Sequence, residues 1–241
     1  MIDLKNKNAF ITGSSRGIGQ QIAIGLAKLG CNIVVHGRTR QSCEKTLGLL
    51  KPFNISTYCV VGELSDELLV KQLIEQVNAL GINIDILYNN AAIMIPYRSN
   101  FWEHSWDNWL DTMRVNVCAM YSLCAAFIPK MIENGFGRVI NLSSGIMHEP
   151  ELAPYGASKW AVNKLTDDIA ARLQNTGVRI NTLAPGWLQT DMGGPNAQHP
   201  VTAVLPGALA PAIINEDGPN GQHFSAINHH MDKDFFSKIN Q

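Results

Sequence analysis

Short apolar runs rich in β-branched residues recur at residues 9–12, 32–36, 57–61, 84–89, 138–142, 179–183 and, with a weaker signal, 222–226. Consecutive positions in these runs are apolar, the pattern of strands buried on both faces rather than one. Between them the period changes. Ile18, Ile22, Leu26 and Leu29 fall at i, i+4, i+8 and i+11 and form one apolar stripe of a helix. Further helices are predicted over residues 41–50, 65–80, 106–131 and 155–174, the third open to interruption. Strand and helix alternate almost throughout, so the economical solution is an α/β fold with about seven parallel strands, doubly wound by helices on both faces. Gly and Pro crowd residues 185–219, which reads as a loop-rich cap over residues 187–219 rather than a second domain. The whole chain is expected to form one domain, with residues 228–241 unassigned.

Composition supports a chain with a sizeable core, since 46% of the 241 residues are apolar and 16% charged. Nineteen basic against twenty acidic residues leave a net charge of −1, no footprint for nucleic acid or anionic lipid. Partners are expected to be small molecules or copies of the chain itself. The five cysteines, Cys31, Cys43, Cys59, Cys118 and Cys124, form an odd set without a CxxC pair. The first ten residues lack the apolar stretch of a leader, and the longest apolar run, 117–128, is too short to span a bilayer. A reducing, cytoplasmic setting without membrane contact is the expectation.

Directly after the first predicted strand comes Thr12-Gly13-Ser14-Ser15-Arg16-Gly17-Ile18-Gly19, with the helix beginning inside it. Glycines at such a turn let backbone N–H groups approach a pyrophosphate, and the helix N-terminus adds about half a unit of positive charge. The spacing is GxxxGxG, and glycines also serve ordinary turns; the flanking strand and helix are what point to a dinucleotide. The second strand ends His36-Gly37-Arg38, with no acid for a ribose hydroxyl. Arg38 offers a guanidinium fork to a 2′-phosphate, and Arg16 could approach it from the first loop, which favours NADP(H). Otherwise Arg38 and Arg40 simply solvate the start of a loop.

Of the five tyrosines, only Tyr155 has a lysine four positions on, Lys159. On a helix these share a face, and an ammonium beside a phenol favours phenolate, which suits the pair to proton transfer. Ser143 and Ser144 close a predicted strand at the end where open α/β sheets bind ligands.

The segments Thr12–Gly19, Asn89-Asn90-Ala91-Ala92, Asn116, Ser143-Ser144, Tyr155-Gly-Ala-Ser-Lys159 and Pro185-Gly186 resemble, in order, the motifs of the short-chain dehydrogenase/reductase family. The likeness covers about residues 5–195 and implies a Rossmann-type fold. By resemblance Tyr155 donates the proton, Lys159 lowers its pKa and binds the nicotinamide ribose, Ser144 polarises the carbonyl, and Asn116 supports a proton relay. Gly13, Ser15, Arg16, Gly17, Ile18, Gly19 and Arg38 would hold the phosphates. Glu63 and Leu64 would border the adenine; Asn90, Ala91, Pro185, Gly186 and Thr190 would line the rest of the cofactor. Each also has a plainer reading: Asn90 as a brace of the sheet, Pro185-Gly186 as a turn, Thr190-Asp191 as a helix cap.

The chain departs from the family pattern in places. Ala92 replaces a glycine, Glu63 stands for an aspartate, and the 11 positions from Ser144 to Tyr155 are fewer than usual, which leaves Ser143 as a second candidate. Ile93, Met94, Ile95, Met147 and Trp187 offer apolar walls for a substrate, and Arg98, His148, Glu149 and Glu151 polar contacts if they are more than solvated loop residues. Phe101, Trp102, Trp106 and Trp109 are expected to pack in the core or an interface, on one helical face. His223, His229 and His230 lack a further ligand at metal spacing, so no metal is expected. These readings imply an NADP(H)-dependent enzyme reducing a ketone or aldehyde to an alcohol, or the reverse, working as a homodimer or homotetramer. A cofactor-binding sensor without catalysis is the alternative on the same fold.

Overall fold

The computed structural model describes residues 2–146 and 148–229; Met147 and the tail from His230 lie outside the described residues. The strands are β1 (Asn8–Ile11), β2 (Asn32–Gly37), β3 (Thr57–Val61), β4 (Ile86–Asn89), β5 (Gly137–Leu142) and β6 (Val178–Ala184). Two-residue strands β7 (Leu188–Gln189) and β8 (His199–Pro200) pair only with each other, and β9 (His223–Ser225) returns to the main sheet. That sheet has seven parallel strands in the order β3-β2-β1-β4-β5-β6-β9. The order reverses between β1 and β4, which opens a crevice at their C-terminal ends. The expected parallel sheet is therefore present, the weak last run included.

The helices are α1 (Gly17–Lys28), α2 (Arg40–Leu50), α3 (Glu67–Asn78), α4 (Trp106–Met113), α5 (Ala119–Glu133) and α6 (Ala153–Arg172). Side chains cap three of the six starts: Thr39 and Ser42 form a capping box on α2, Asp66 accepts from Leu68 and Leu69 at α3, and Ser105 and Asn108 form a capping box on α4. The start of α1 has no side-chain cap. One face of the sheet packs Ile22, Leu26, Val35 and Tyr88 with Leu209 of the cap; the other packs Phe10, Val34 and Leu87 with Leu73, Leu123 and Val162. Both faces are thus covered, as apolar strands require.

The predicted interruption of the third helix is a π-helical turn, Arg114–Cys118, joining α4 to α5. Taken whole, Trp106–Glu133 is long and apolar enough to cross a membrane, unlike the 117–128 run alone. More than half of its most apolar window, 56%, is buried against the fold, as in a core helix. The aromatic group departs from expectation. Phe101 and Trp102 lie in a 3₁₀ turn capped by Asn100, ahead of a helix that starts at Trp106, so the four do not share a helical face. Trp102 is 86% and Trp106 77% exposed, which overturns core packing for them.

At the opposite edge from the crevice, the fully buried Arg138 donates to Gly137 O at 2.8 Å, Gly177 O at 3.0 Å and Ile214 O at 3.0 Å, and stacks on Phe136. Arg138→Met would leave these carbonyls without a donor, so a loss of about 3 kcal/mol is expected. Urea unfolding with an unchanged midpoint would contradict this role.

Candidate active site

The turn from β1 into α1 is held open from three sides. Gly13 takes φ +64°, a left-handed conformation natural to glycine, and a Cβ built on Gly19 would lie 2.5 Å from Asn90 Nδ2. Thr12 Oγ1 accepts the N–H groups of Asn90 and Ala91, both at 3.0 Å, while Asn90 Nδ2 donates to Thr12 O at 2.8 Å. Asn90 therefore does brace β1 against β4, and it does so at the floor of the crevice. Thr46 Oγ1 on α2 donates to Ser14 O at 2.9 Å and Ser15 O at 3.1 Å, with Gln20 donating to Thr46. On the remaining side, Gly13 N–H donates to His36 Nδ1 at 2.9 Å. With the loop pinned and no side chain capping α1, the first-turn amides are left for an anion.

The two arginines are placed beside this cradle but already paired. Arg38 Nε lies 3.7 Å from Glu63 Oε1, and Arg16 Nε 2.7 Å from Asp191 Oδ2. Both pairs are well exposed, so each is a weak, exchangeable contact. Leu64 is 6% exposed and turns into the core, leaving its backbone for any contact with a ligand. Ile18 is half-buried against the same core as α1. Thr190 caps no helix: its Oγ1 accepts from Gly193 N–H at 3.0 Å in a turn, and its methyl faces Gly17. Pro185 and Gly186 lead from β6 into this cap. Among the described residues, no cluster of three or more His, Cys, Asp or Glu is arranged to hold a metal.

At the end of β5 the paired serines diverge. Ser143 Oγ donates to Asn163 Oδ1 at 2.6 Å and is buried, whereas the half-buried Ser144 Oγ accepts the N–H of Ile146 at 3.2 Å and lies beside the Tyr155 phenol. The short connection does not prevent this, because Pro150–Leu152 forms a 3₁₀ turn that runs directly into α6. Burial pushes the Tyr155 phenol up to about 12, against the opposing pull of the Ser144 hydroxyl. Lys159 is buried below the same face; its ammonium donates to Leu142 O at 2.8 Å and stands 5.5 Å from the Tyr155 ring centre. Burial brings its pKa down to about 8. One acceptor for three N–H donors leaves the ammonium able to bind more.

Asn116 sits in the π-helical turn. Its Oδ1 accepts Ile93 N–H at 2.8 Å, and its Nδ2 donates to Ile93 O and Ser158 Oγ, both at 2.9 Å. Ser158 in turn donates to Tyr155 O at 2.7 Å. The carboxamide thus ties the loop after β4 to the helix carrying Tyr155 and Lys159. Arg98 N–H reaches Glu151 O at 3.4 Å, joining the two loops that flank the site. A cavity of about 430 Å³ beside the loop after β5 is lined by His148, Pro150, Ala157 and Trp160, a side of α6 away from Tyr155. Thr12, His36, Thr46 and Ser158 were not singled out as functional by sequence; only the polar identity of otherwise apolar, buried positions signals them.

Residues 7–200 match the family of short chain dehydrogenases. The chain is 35% identical over 197 residues to dehydrogenase/reductase SDR family member 4 of Sus scrofa, covering 78% of this chain and 68% of that protein. It is 34% identical over 194 residues to gluconate 5-dehydrogenase of Gluconobacter oxydans, covering 80% and 75%. Among solved structures, a gluconate 5-dehydrogenase from Burkholderia cenocepacia in complex with NADP and tartrate superposes with a TM-score of 0.81 at 28% identity, over 95% of this chain and 96% of that one. Sequence likeness over most of the chain and a shared parallel sheet agree: this chain belongs to the short chain dehydrogenase family and is an oxidoreductase acting on CH–OH and C=O groups.

Proposed function

We propose that the chain is an NADP(H)-dependent reductase of a ketone or aldehyde, also able to run the reverse oxidation. The observation that carries this is the contact of Ser144, Tyr155 and Lys159 at the C-terminal edge of the sheet, next to an uncapped helix start behind a pinned glycine turn. A dinucleotide fits there by the chemistry of the donors. The backbone amides of Ser15, Arg16, Gly17, Ile18 and Gly19 would hold the phosphates across the turn that Gly13 opens, with Arg38 and Arg16 at the 2′-phosphate after release from Glu63 and Asp191. Glu63, Leu64, Asn90 and Ala91 would flank the adenosine side, and Pro185, Gly186, Thr190 and Lys159 the nicotinamide side. When bound, the nicotinamide supplies or accepts the hydride.

The proton falls to the side chains. Tyr155 is a neutral phenol across the physiological range and donates its proton to the substrate oxygen. Ser144, beside the Tyr155 phenol, would donate to the same oxygen as negative charge develops. The Lys159 ammonium, held by Leu142 O, stabilises the phenolate left behind. Asn116 acts as a positioning residue through Ser158 and Ile93.

Three outcomes are expected. Tyr155→Phe lowers turnover of a panel of ketones and aldehydes by about 10²–10⁴ while NADPH still binds; unchanged turnover would sink the reading. Arg38→Ala raises KM for NADPH by about tenfold and leaves KM for NADH unchanged; an equal effect on both would remove Arg38 from the 2′-phosphate. The third concerns stability. The native Lys159 pKa of about 8 lies below its ordinary 10.5, so between these values the unfolded chain binds more protons and stability rises with pH. Below pH 8 the cost of the buried charge is present in full. Lys159→Met is therefore stabilised relative to wild type most at pH 7, and the difference shrinks by about 3 kcal/mol toward pH 10.5. A pH-independent difference in urea midpoints would contradict it.

A further inference from the structure

His36 is 3% exposed, the one histidine in a strand otherwise made of Asn32, Ile33, Val34, Val35 and Gly37. Its ring is held at both nitrogens. Nδ1 accepts the N–H of Gly13 at 2.9 Å, so the proton must sit on Nε2, which donates to Gly62 O at 3.1 Å. Its backbone N–H donates to Ser14 Oγ at 3.0 Å, and Ser14 Oγ donates back to Ile11 O. The Phe10 ring packs edge-on against the imidazole at 6.3 Å.

One side chain at the end of β2 therefore joins two loops at the crevice: the glycine turn after β1 and the Gly62-Glu63-Leu64 step after β3. We propose that His36 is a positioning residue for the adenosine half of the cofactor, fixing the phosphate turn through Gly13 and the adenine-side loop through Gly62. This rests on the dinucleotide reading of the site. Gly13 needs a left-handed conformation, and a hydrogen bond to its amide favours that conformation over the alternatives open to glycine. The bond also keeps this amide from turning toward the ligand, so the anion is left to the amides that follow. A cationic ring would present N–H to N–H at Gly13. Burial opposes that form, bringing the pKa down to about 4. His36 touches neither substrate nor nicotinamide in this account, so it governs affinity and not the chemical step.

Two variants separate the roles. His36→Phe keeps the ring and removes both of its hydrogen bonds; His36→Asn places an amide oxygen near the position of Nδ1 and restores an acceptor for Gly13. NADPH binding by fluorescence and steady-state kinetics on one turned-over carbonyl substrate are the readouts. For His36→Phe, Kd and KM for NADPH are expected to rise about tenfold with kcat at saturation within about threefold of wild type. His36→Asn recovers most of the loss. His36→Phe binding within about twofold of wild type overturns the proposal. So does a kcat loss as large as the loss of affinity, or His36→Asn binding no better than His36→Phe. Should the variants not fold, the wild-type ring decides: ¹⁵N–¹H spectra at neutral pH are expected to show a neutral imidazole protonated at Nε2, and protonation at Nδ1 overturns the proposal. Wild-type protein that binds neither NADPH nor NADH would instead overturn the cofactor reading on which this inference stands.

Discussion

When every strand of a sheet runs the same way, every strand ends at the same edge, and the backbone amides and carbonyls that leave the ladder there must find partners. Buried polar groups without partners are expensive. This chain answers with side chains spread along the sequence: Thr12 and Asn90 between β1 and β4, Thr46 from α2, His36 from β2, and Asn116 from the π-helical turn. Each satisfies backbone groups at the crevice and, in doing so, shapes it. The amides left over, at the start of α1, are the ones that an anion can use.

The reacting end obeys the same economy with charge in place of dipoles. Lys159 is buried beneath Tyr155 with Leu142 O as acceptor, a placement that costs stability in a chain without ligand. The ammonium stands 5.5 Å from the Tyr155 ring centre, at a depth where solvent screens it little. Ser143 is bound to Asn163, 20 positions on in α6, and Ser144 lies beside Tyr155.

Much of this was legible in the sequence, for stated physical reasons. Two-sided burial wrote the strands as continuous apolar runs, left-handed backbone wrote Gly13 and Gly17, and close packing against Asn90 and the turn wrote Gly19. The i, i+4 spacing put Tyr155 and Lys159 on one face before any coordinates. What was not legible depends on which donor meets which acceptor across the fold. Arg38 and Arg16 suggested a phosphate, yet nothing local shows that Glu63 and Asp191 come within reach of them. His36 looked like the absence of an acid, because its two partners, Gly13 and Gly62, are 23 and 26 positions away. Of the two placements expected for the tryptophans, the core fails for Trp102 and Trp106: apolar character predicts burial on average, and these two are exposed on the single chain.

The most direct test of the account is a crystal structure of the chain with NADP⁺. The account places the pyrophosphate over the turn from Gly13 to Gly19, the 2′-phosphate beside Arg38 with its pairing to Glu63 broken, and the nicotinamide ribose on Lys159 next to Tyr155. Dinucleotide found away from the β1–β4 crevice, or with its nicotinamide remote from Tyr155, would contradict it.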